Sequence, residues 1–390
     1  MSVLCRIIVA ICVPLTAAAQ ANVVTPAPVL TATREIKIDG PTEDLVRISW
    51  VRVAPDGRIA FSQFDDRLVR LYDATGKLIG KFGRAGDGPG EFRNPGRAGW
   101  FGDSLWVYDV IATRLTIIPP SLGAPRIAEL GIRAFMRGTN PTLPLITGGR
   151  IEGITRTGEI LFSGLFIADS IVRTLPAFAD NLERAFVRAP SSAAYQNFLG
   201  GMPARPDTRI RLGEESAQHP FPTRSSSAGM HDASRFVMVV PQVEGSDAGT
   251  FLVTSIGLRG DTIFSRRYPF RLDRIPAAEA QKSIDATVAS LRRLGNPNAE
   301  SFRARAKVPP AYTPFGNVVM GRDGSTWIPE RPTPPTRPWL VLDPRGNVFG
   351  RVLLGERVTV HEADLNNIWT VELDADDLPS VVRFRIARSG

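Results

Sequence analysis

An all-β fold is predicted by three features of this 390-residue sequence. Short apolar or alternating segments recur along it, separated by turn signals such as Asp56-Gly57, Thr75-Gly76, Asp323-Gly324 and Gly346-Asn347. Such pairs supply the positive φ angles that tight hairpins require. Glycine and proline are abundant, at 35 and 32 residues, while long amphipathic helical patterns are scarce, which favours strands and turns. Finally, an isolated strand pattern near the N-terminus has no sequential partner, and the last repeating unit near the C-terminus is one strand short.

The isolated strand is 33–38, where Thr33-Arg34-Glu35-Ile36-Lys37-Ile38 alternates before the stop signal Asp39-Gly40-Pro41;. From residue 46 the chain reads as repeating units of short antiparallel strands over 46–83, 96–130, 149–188, 224–270, 315–354 and 358–388. Four strands in about forty residues is the size of one propeller blade. In the third unit the expected strands include 160–163, 171–175 and 182–187. The last unit has only three strands, so 33–38 is expected to supply its fourth and to close a six-bladed β-propeller. Closure removes two sheet edges that would otherwise invite aggregation.

Two segments depart from the pattern and are read as insertions, 189–223 and 270–314. The first is rich in Ser, Pro, Gly and Arg and reads as a loop between the third and fourth blades. The second lies between the fourth and fifth and carries a predicted helix over 276–294. Pro276 suits its first turn, Glu279 suits the positive dipole end, Ile284, Val288 and Leu291 share a face, and Arg292, Arg293 and Gly295 end it;. A second helix is expected over 299–307.

Residues 1–21 form a separate object, with Arg6 as a thin basic region, an apolar run over 7–15 and small residues ending Ala19-Gln20-Ala21. This is the pattern of a secretory signal peptide, followed by a flexible spacer over 22–30. The expected product is periplasmic or secreted, with no membrane span, since no later apolar run approaches the ~20 residues a spanning helix needs. Both cysteines, Cys5 and Cys12, fall in the leader, so the mature chain has no disulfide and no thiolate chemistry;. Losing Arg6 lowers the net charge from +8 by one, to +7. The arginines are dispersed instead of forming a run, which is the pattern of a solvated surface.

One unit carries a resemblance. Gly88-Pro89-Gly90-Glu91-Phe92-Arg93-Asn94-Pro95, then Leu105-Trp106-Val107-Tyr108-Asp109, then Arg114-Leu115-Thr116-Ile117 resembles the NHL repeat. Trp327-Ile328-Pro329-Glu330 and Trp369-Thr370-Val371-Glu372 repeat the Trp-x-x-acidic strand without the glycine-rich opening. The mature chain as a whole looks like an exported bacterial six-bladed propeller family of unassigned function. In such blades the indole is expected to wedge against the neighbouring blade, and the acidic residue to pair with a following arginine as scaffold: Asp109 with Arg114, Glu330 with Arg337, Glu372 with Arg383.

The functional expectation is a binding protein. Both insertions are blade-to-blade connections, so they should rise on one face and partly cover the channel mouth, where a concave pocket forms. Candidate ligand-binding residues on that face are Asp65, Asp66, Asp109, Arg205, Glu330 and Glu372, together with His231 and His361 near channel-lining strands. The expected partner is a small molecule, a glycan or an extracytoplasmic protein, and the expected state a monomer. NHL propellers of the cytoplasm bind single-stranded RNA, but the leader sets nucleic acid aside here. No catalytic residue is assigned, since no nucleophile elbow is present and the glycines of 83–90 precede no helix. The alternative is a metal-dependent hydrolase or lyase of lactonase type, with a divalent cation such as calcium held by acidic residues. No His-x-Glu, paired-His or calcium-loop motif supports it;.

Overall fold

A computed structural model describes residues 27–129, 146–166, 182–189, 197–203, 209–212, 215–243 and 248–388. The leader, the expected strand at 171–175 and Arg205 lie outside the described residues. Strand β1 (Val29–Ile38) begins inside the expected spacer and leads into a helical turn, α1 (Gly40–Glu43). The Asp39 carboxylate caps that turn by accepting from the Thr42 N–H;.

Antiparallel meanders follow. The first is β2 (Ile48–Val53), β3 (Ile59–Gln63), β4 (Leu68–Tyr72) and β5 (Leu78–Phe82). The second is β6 (Pro95–Phe101), β7 (Ser104–Asp109), β8 (Arg114–Ile118) and β9 (Arg126–Glu129). The third is β10 (Ile146–Ile154), β11 (Ile160–Phe166), β12 (Leu182–Ala189) and β13 (Asn197–Pro203). Residues 182–189 are thus the third strand of their sheet, and the fourth comes from 197–203, inside the expected first insertion. After a hairpin, β14 (Arg209–Leu212) and β15 (Glu215–Gln218), comes the meander β16 (Ser226–Gly229), β17 (Arg235–Val243), β18 (Ala248–Gly257) and β19 (Thr262–Arg271).

The helices α2 (Ala277–Arg293) and α3 (Ala299–Arg305) come next. The chain then forms β20 (Val319–Met320), β21 (Thr326–Pro329), β22 (Thr336–Leu342) and β23 (Val348–Gly355), and finally β24 (Val358–Ala363), β25 (Asn367–Leu373) and β26 (Pro379–Arg388). These join β1 in one eight-stranded sheet ordered β20-β21-β22-β23-β1-β26-β25-β24. Strand β1 runs antiparallel to β26 from Leu30↔Arg388 to Ile38↔Val381, and its first two residues pair in parallel with Arg351 and Val352 of β23.

The first strands of the meanders touch in a closed cycle: β2 to β6, β6 to β10, β10 to β16, β16 to β20, β20 to β24, and β24 back to β2. The core lies between consecutive sheets. Trp106 of β7 packs with Ile151 and Phe162 of the next sheet, Trp327 of β21 with Val360 and Ile368, and Trp369 of β25 with Val51 and Phe61 of the first meander. All three indoles are at least 97% buried, and burying a ring of this size is what holds one sheet against the next.

The insertions pack on each other. Ile284 and Val288 of α2, with Phe302 of α3, close over Ile210, Leu212 and Ala217 of the β14–β15 hairpin. Their spacing places Ile284, Val288 and the partly buried Leu291 on one helical face;. Among the described residues no helix is long and apolar enough to cross a membrane.

Candidate ligand-binding channel

The cycle of first strands surrounds a cavity of about 680 Å³. Strand alternation determines what enters it. On β2, Val51 and Val53 face the inter-sheet core, whereas Arg52 between them lines the cavity;. On β10, Ile151 faces the core while Arg150 and Glu152 line the cavity.

Bulges then re-aim particular residues. The register between β24 and β25 jumps from Val360↔Thr370 to Glu362↔Trp369, leaving His361 as the extra residue. Between β10 and β11 it jumps from Ile151↔Phe162 to Gly153↔Leu161, leaving Glu152. Both extra residues line the cavity, in keeping with the use of bulges to direct side chains;.

Glu362 is the centre of one polar cluster. Its carboxylate lies 3.4 Å from an Arg52 Nη and 3.7 Å from His231 Nδ1. Arg52 is held by the carbonyls of Ala98 at 2.9 Å, Val51 at 2.8 Å and His361 at 3.3 Å. Burial pushes Glu362 up to about 7, against the opposing pull of Arg52 and Arg322. Burial likewise drives His231 and His361 down to about 4, with Arg52 adding its repulsion. Both imidazoles are therefore neutral at neutral pH, and the His231–Glu362 approach is not an ion pair there.

The second cluster centres on Glu152, which accepts from Arg150 Nε at 2.8 Å and Ser163 Oγ at 2.5 Å and lies 3.8 Å from Arg97. Burial alone would raise its pKa, but Arg150 and Arg97 outweigh that and hold it below the usual carboxylate range. Two buried carboxylates in one cavity are thus shifted in opposite directions, since one faces two nearby guanidiniums and a hydroxyl while desolvation dominates the other.

His231 is fixed by its backbone. The Ile154 N–H donates to the His231 carbonyl at 3.0 Å. Residue 153 must be glycine for this approach, because a Cβ there would lie 2.1 Å from the Met230 oxygen. His231 and Arg322 also border a second hollow of about 670 Å³ at the turns after the first strands. They form part of the partition between the two spaces.

Of the residues singled out from sequence, His231 and His361 line the cavity. The acidic candidates do not. Asp65 is exposed in the β3–β4 turn and pairs with Arg47 at 3.0 Å, and Asp66 beside it is also exposed. Asp109 is fully buried and accepts the backbone N–H groups of Arg93, Asn94, Ile111 and Ala112 at 2.6–3.0 Å.

The expected acidic–arginine pairs are re-partnered. Arg114 donates to the carbonyls of Asp87 and Glu91, Glu330 pairs with Arg351 through two contacts of 3.0 Å, and Glu372 pairs with Arg34 at 2.6 Å. Among the described residues neither insertion contributes to the cavity lining, so the expected cover over the channel mouth is not seen there. No group of three or more His, Cys, Asp or Glu among the described residues is arranged to hold a metal ion.

Sequence reading missed Arg52, Arg97, Glu152, Arg322 and Glu362. Of these only Arg52 carried a local signal, a charged residue between buried apolar neighbours on a first strand, Val51-Arg52-Val53.

No family model matches the chain, and no curated protein matches it. Among solved structures it is similar to a member of the DUF4221 family from Bacteroides vulgatus, with a TM-score of 0.46 and 10% identity over 93% of this chain and 98% of that one. A protein described as exported, from Bacteroides fragilis, gives 0.45 and 9% over 93% and 96%. Regucalcin from Agrobacterium tumefaciens, described as calcium-binding, gives 0.37 and 10% over 93% and 96%. The chain itself is an all-β protein of meanders around a central cavity, and its own geometry carries the functional argument.

Proposed function

We propose that the chain is an exported six-bladed β-propeller that binds a small molecule in its central channel. The closed cycle of first strands and the apolar cluster between each consecutive pair of sheets support the six-bladed reading. The pairing of β1 with β26 supports its role as the fourth strand of the last blade, and the leader motif supports a periplasmic or secreted location. The observation that carries the binding reading is the 680 Å³ cavity with charged groups converging on it from several strands. Its volume falls within the ~300–1,000 Å³ typical of ligand sites.

Titration calorimetry of sugars, organic acids and amino acids against the mature protein tests this, alongside Ser49→Trp and Thr359→Trp. Both substitutions start from exposed positions on the cavity lining and place an indole in its opening. A solute that binds the parent should lose at least tenfold in affinity in both variants at unchanged melting temperature. Binding that survives both obstructions would overturn the channel reading. A divalent ion that co-purifies, and whose removal by chelator abolishes turnover of a lactone, would favour the metal-dependent alternative.

A further inference from the structure

We propose that Arg337 and Trp339 form an oxyanion subsite in the channel wall, so that the bound small molecule carries a carboxylate, sulfate or phosphate group. This rests on the channel-binding reading and adds the chemical class of the ligand.

The two residues lie two apart on β22, and therefore on one face of the strand;. Both line the cavity. Trp339 is only 4% exposed, and its indole Nε1–H is buried without an acceptor. The Nε of Arg337 is also buried without an acceptor. The carboxylate expected to pair with Arg337, that of Glu330, is occupied on both oxygens by Arg351.

The other arginines on the cavity wall differ. Arg52 meets Glu362 and three carbonyls, Arg97 and Arg150 face Glu152, and Arg322 pairs with Asp364 at 2.8 Å. Arg337 is left, among the described residues, as the cavity guanidinium with no counter-charge. Buried donors are nearly always satisfied; among the described residues other indoles, those of Trp100, Trp106 and Trp369, also lack an acceptor, and what sets these two donors apart is that both belong to residues bordering the central cavity. A planar guanidinium beside a second N–H donor matches two oxygens of one oxyanion. A neutral ligand would leave the charge unmatched.

The test follows the side-chain indole signals of the mature protein by ¹H–¹⁵N spectroscopy, with Trp339→Phe identifying the resonance of Trp339. Acetate, sulfate and phosphate are titrated separately, with acetamide as the neutral control. The expected result is a saturable downfield displacement of the Trp339 signal by at least one anion and none by acetamide. Arg337→Gln should weaken the response at least tenfold at unchanged melting temperature, and Arg337→Lys should keep part of it. Which anion saturates first distinguishes a planar carboxylate from a tetrahedral group.

Absence of displacement by all three anions, or a displacement of equal affinity in Arg337→Gln, would overturn the subsite. If Trp339→Phe fails to fold, calorimetry of the same anions against the parent and Arg337→Gln decides the question by the same tenfold criterion. Failure of the subsite alone would leave a neutral solute that binds the parent and is blocked by Thr359→Trp. Failure of the channel reading would instead leave every solute indifferent to that obstruction.

Discussion

Two stretches of this chain invite opposite readings. Residues 83–118 hold the most conspicuous motif, a glycine-rich turn followed by an acidic strand end and an arginine, yet its polar groups are spent on one another. Asp109 takes four backbone N–H groups, Glu91 accepts from Gly88 N–H at 2.7 Å and Arg84 Nε at 2.8 Å, and Arg114 reaches back to two carbonyls. Strand β24, Val358–Ala363, has no motif at all, yet it delivers His361 and Glu362 to the channel through a bulge. A repeated pattern marks what every sheet needs to stay folded. The charged lining of the cavity arises where one sheet departs from it.

The sharpest way to break this contrast is at the sheet that joins the chain's two ends. Removing residues up to 38 strips β1 from between β23 and β26 and exposes two strand edges in place of one continuous eight-stranded sheet;. The expected outcome is loss of the cooperative thermal transition in circular dichroism. A truncated protein that melted at the parent temperature would show that β1 is dispensable.

Smaller, but still large, is the effect expected on the scaffold side from Asp109→Ala. It leaves four N–H groups without their acceptor, at about 1–3 kcal/mol for each that stays buried and unsatisfied. Chemical denaturation should show a loss of about 4 kcal/mol, since some of these donors reach water after relaxation. Affinity for any channel solute should be unchanged within twofold, and a selective loss of affinity would move Asp109 from scaffold to site.

The channel side is probed by pH. Glu362 titrates near 4.5 when unfolded and at about 7 when folded, so the folded state binds the extra proton between those values. Its contribution is fully present below about 4.5 and is lost as pH rises through 7. Glutamine cannot titrate, so Glu362→Gln should gain stability relative to the parent between pH 5 and 8, by about 2 kcal/mol. His231 and His361, lowered to about 4, act in the opposite sense, adding stability as pH rises toward 6.5. His361 is present in both proteins and its effect cancels in the difference, whereas His231 lies 3.7 Å from the replaced carboxylate. The part of the difference owed to Glu362 alone is therefore read above pH 6.5, where both imidazoles are neutral in the folded and unfolded states. A pH-independent difference would mean that Glu362 is ionised throughout this range.

Much of the sheet pattern was legible because strand alternation and turn chemistry are local. Asp56-Gly57 and Asp323-Gly324 mark their hairpins wherever the chain goes, and Gly57 and Gly324 adopt φ of 90° and 84°. The third meander was misread because 197–203, Asn-Phe-Leu-Gly-Gly-Met-Pro, has loop composition and becomes a strand only by pairing with β12. The acidic–arginine pairs were misread for a related reason. Asp109 does stand opposite Arg114 in register, but nearer backbone donors satisfy the carboxylate first. The channel was least legible of all. Arg52 and Glu362 are 310 residues apart, and neither a bulge nor a contact across the ring leaves a local signature.

The eight-stranded sheet also imposes an order in time. Residues Thr31 to Ile38 pair only with the last strand, so a chain delivered N-terminus first must hold most of its earliest strand unpaired until its latest one arrives. Every meander between them can form from neighbouring residues, but the ring cannot lock before the final strand is in place. Closing so long a loop is entropically costly and slow, and for that whole interval the first strand to emerge is the one most in need of protection.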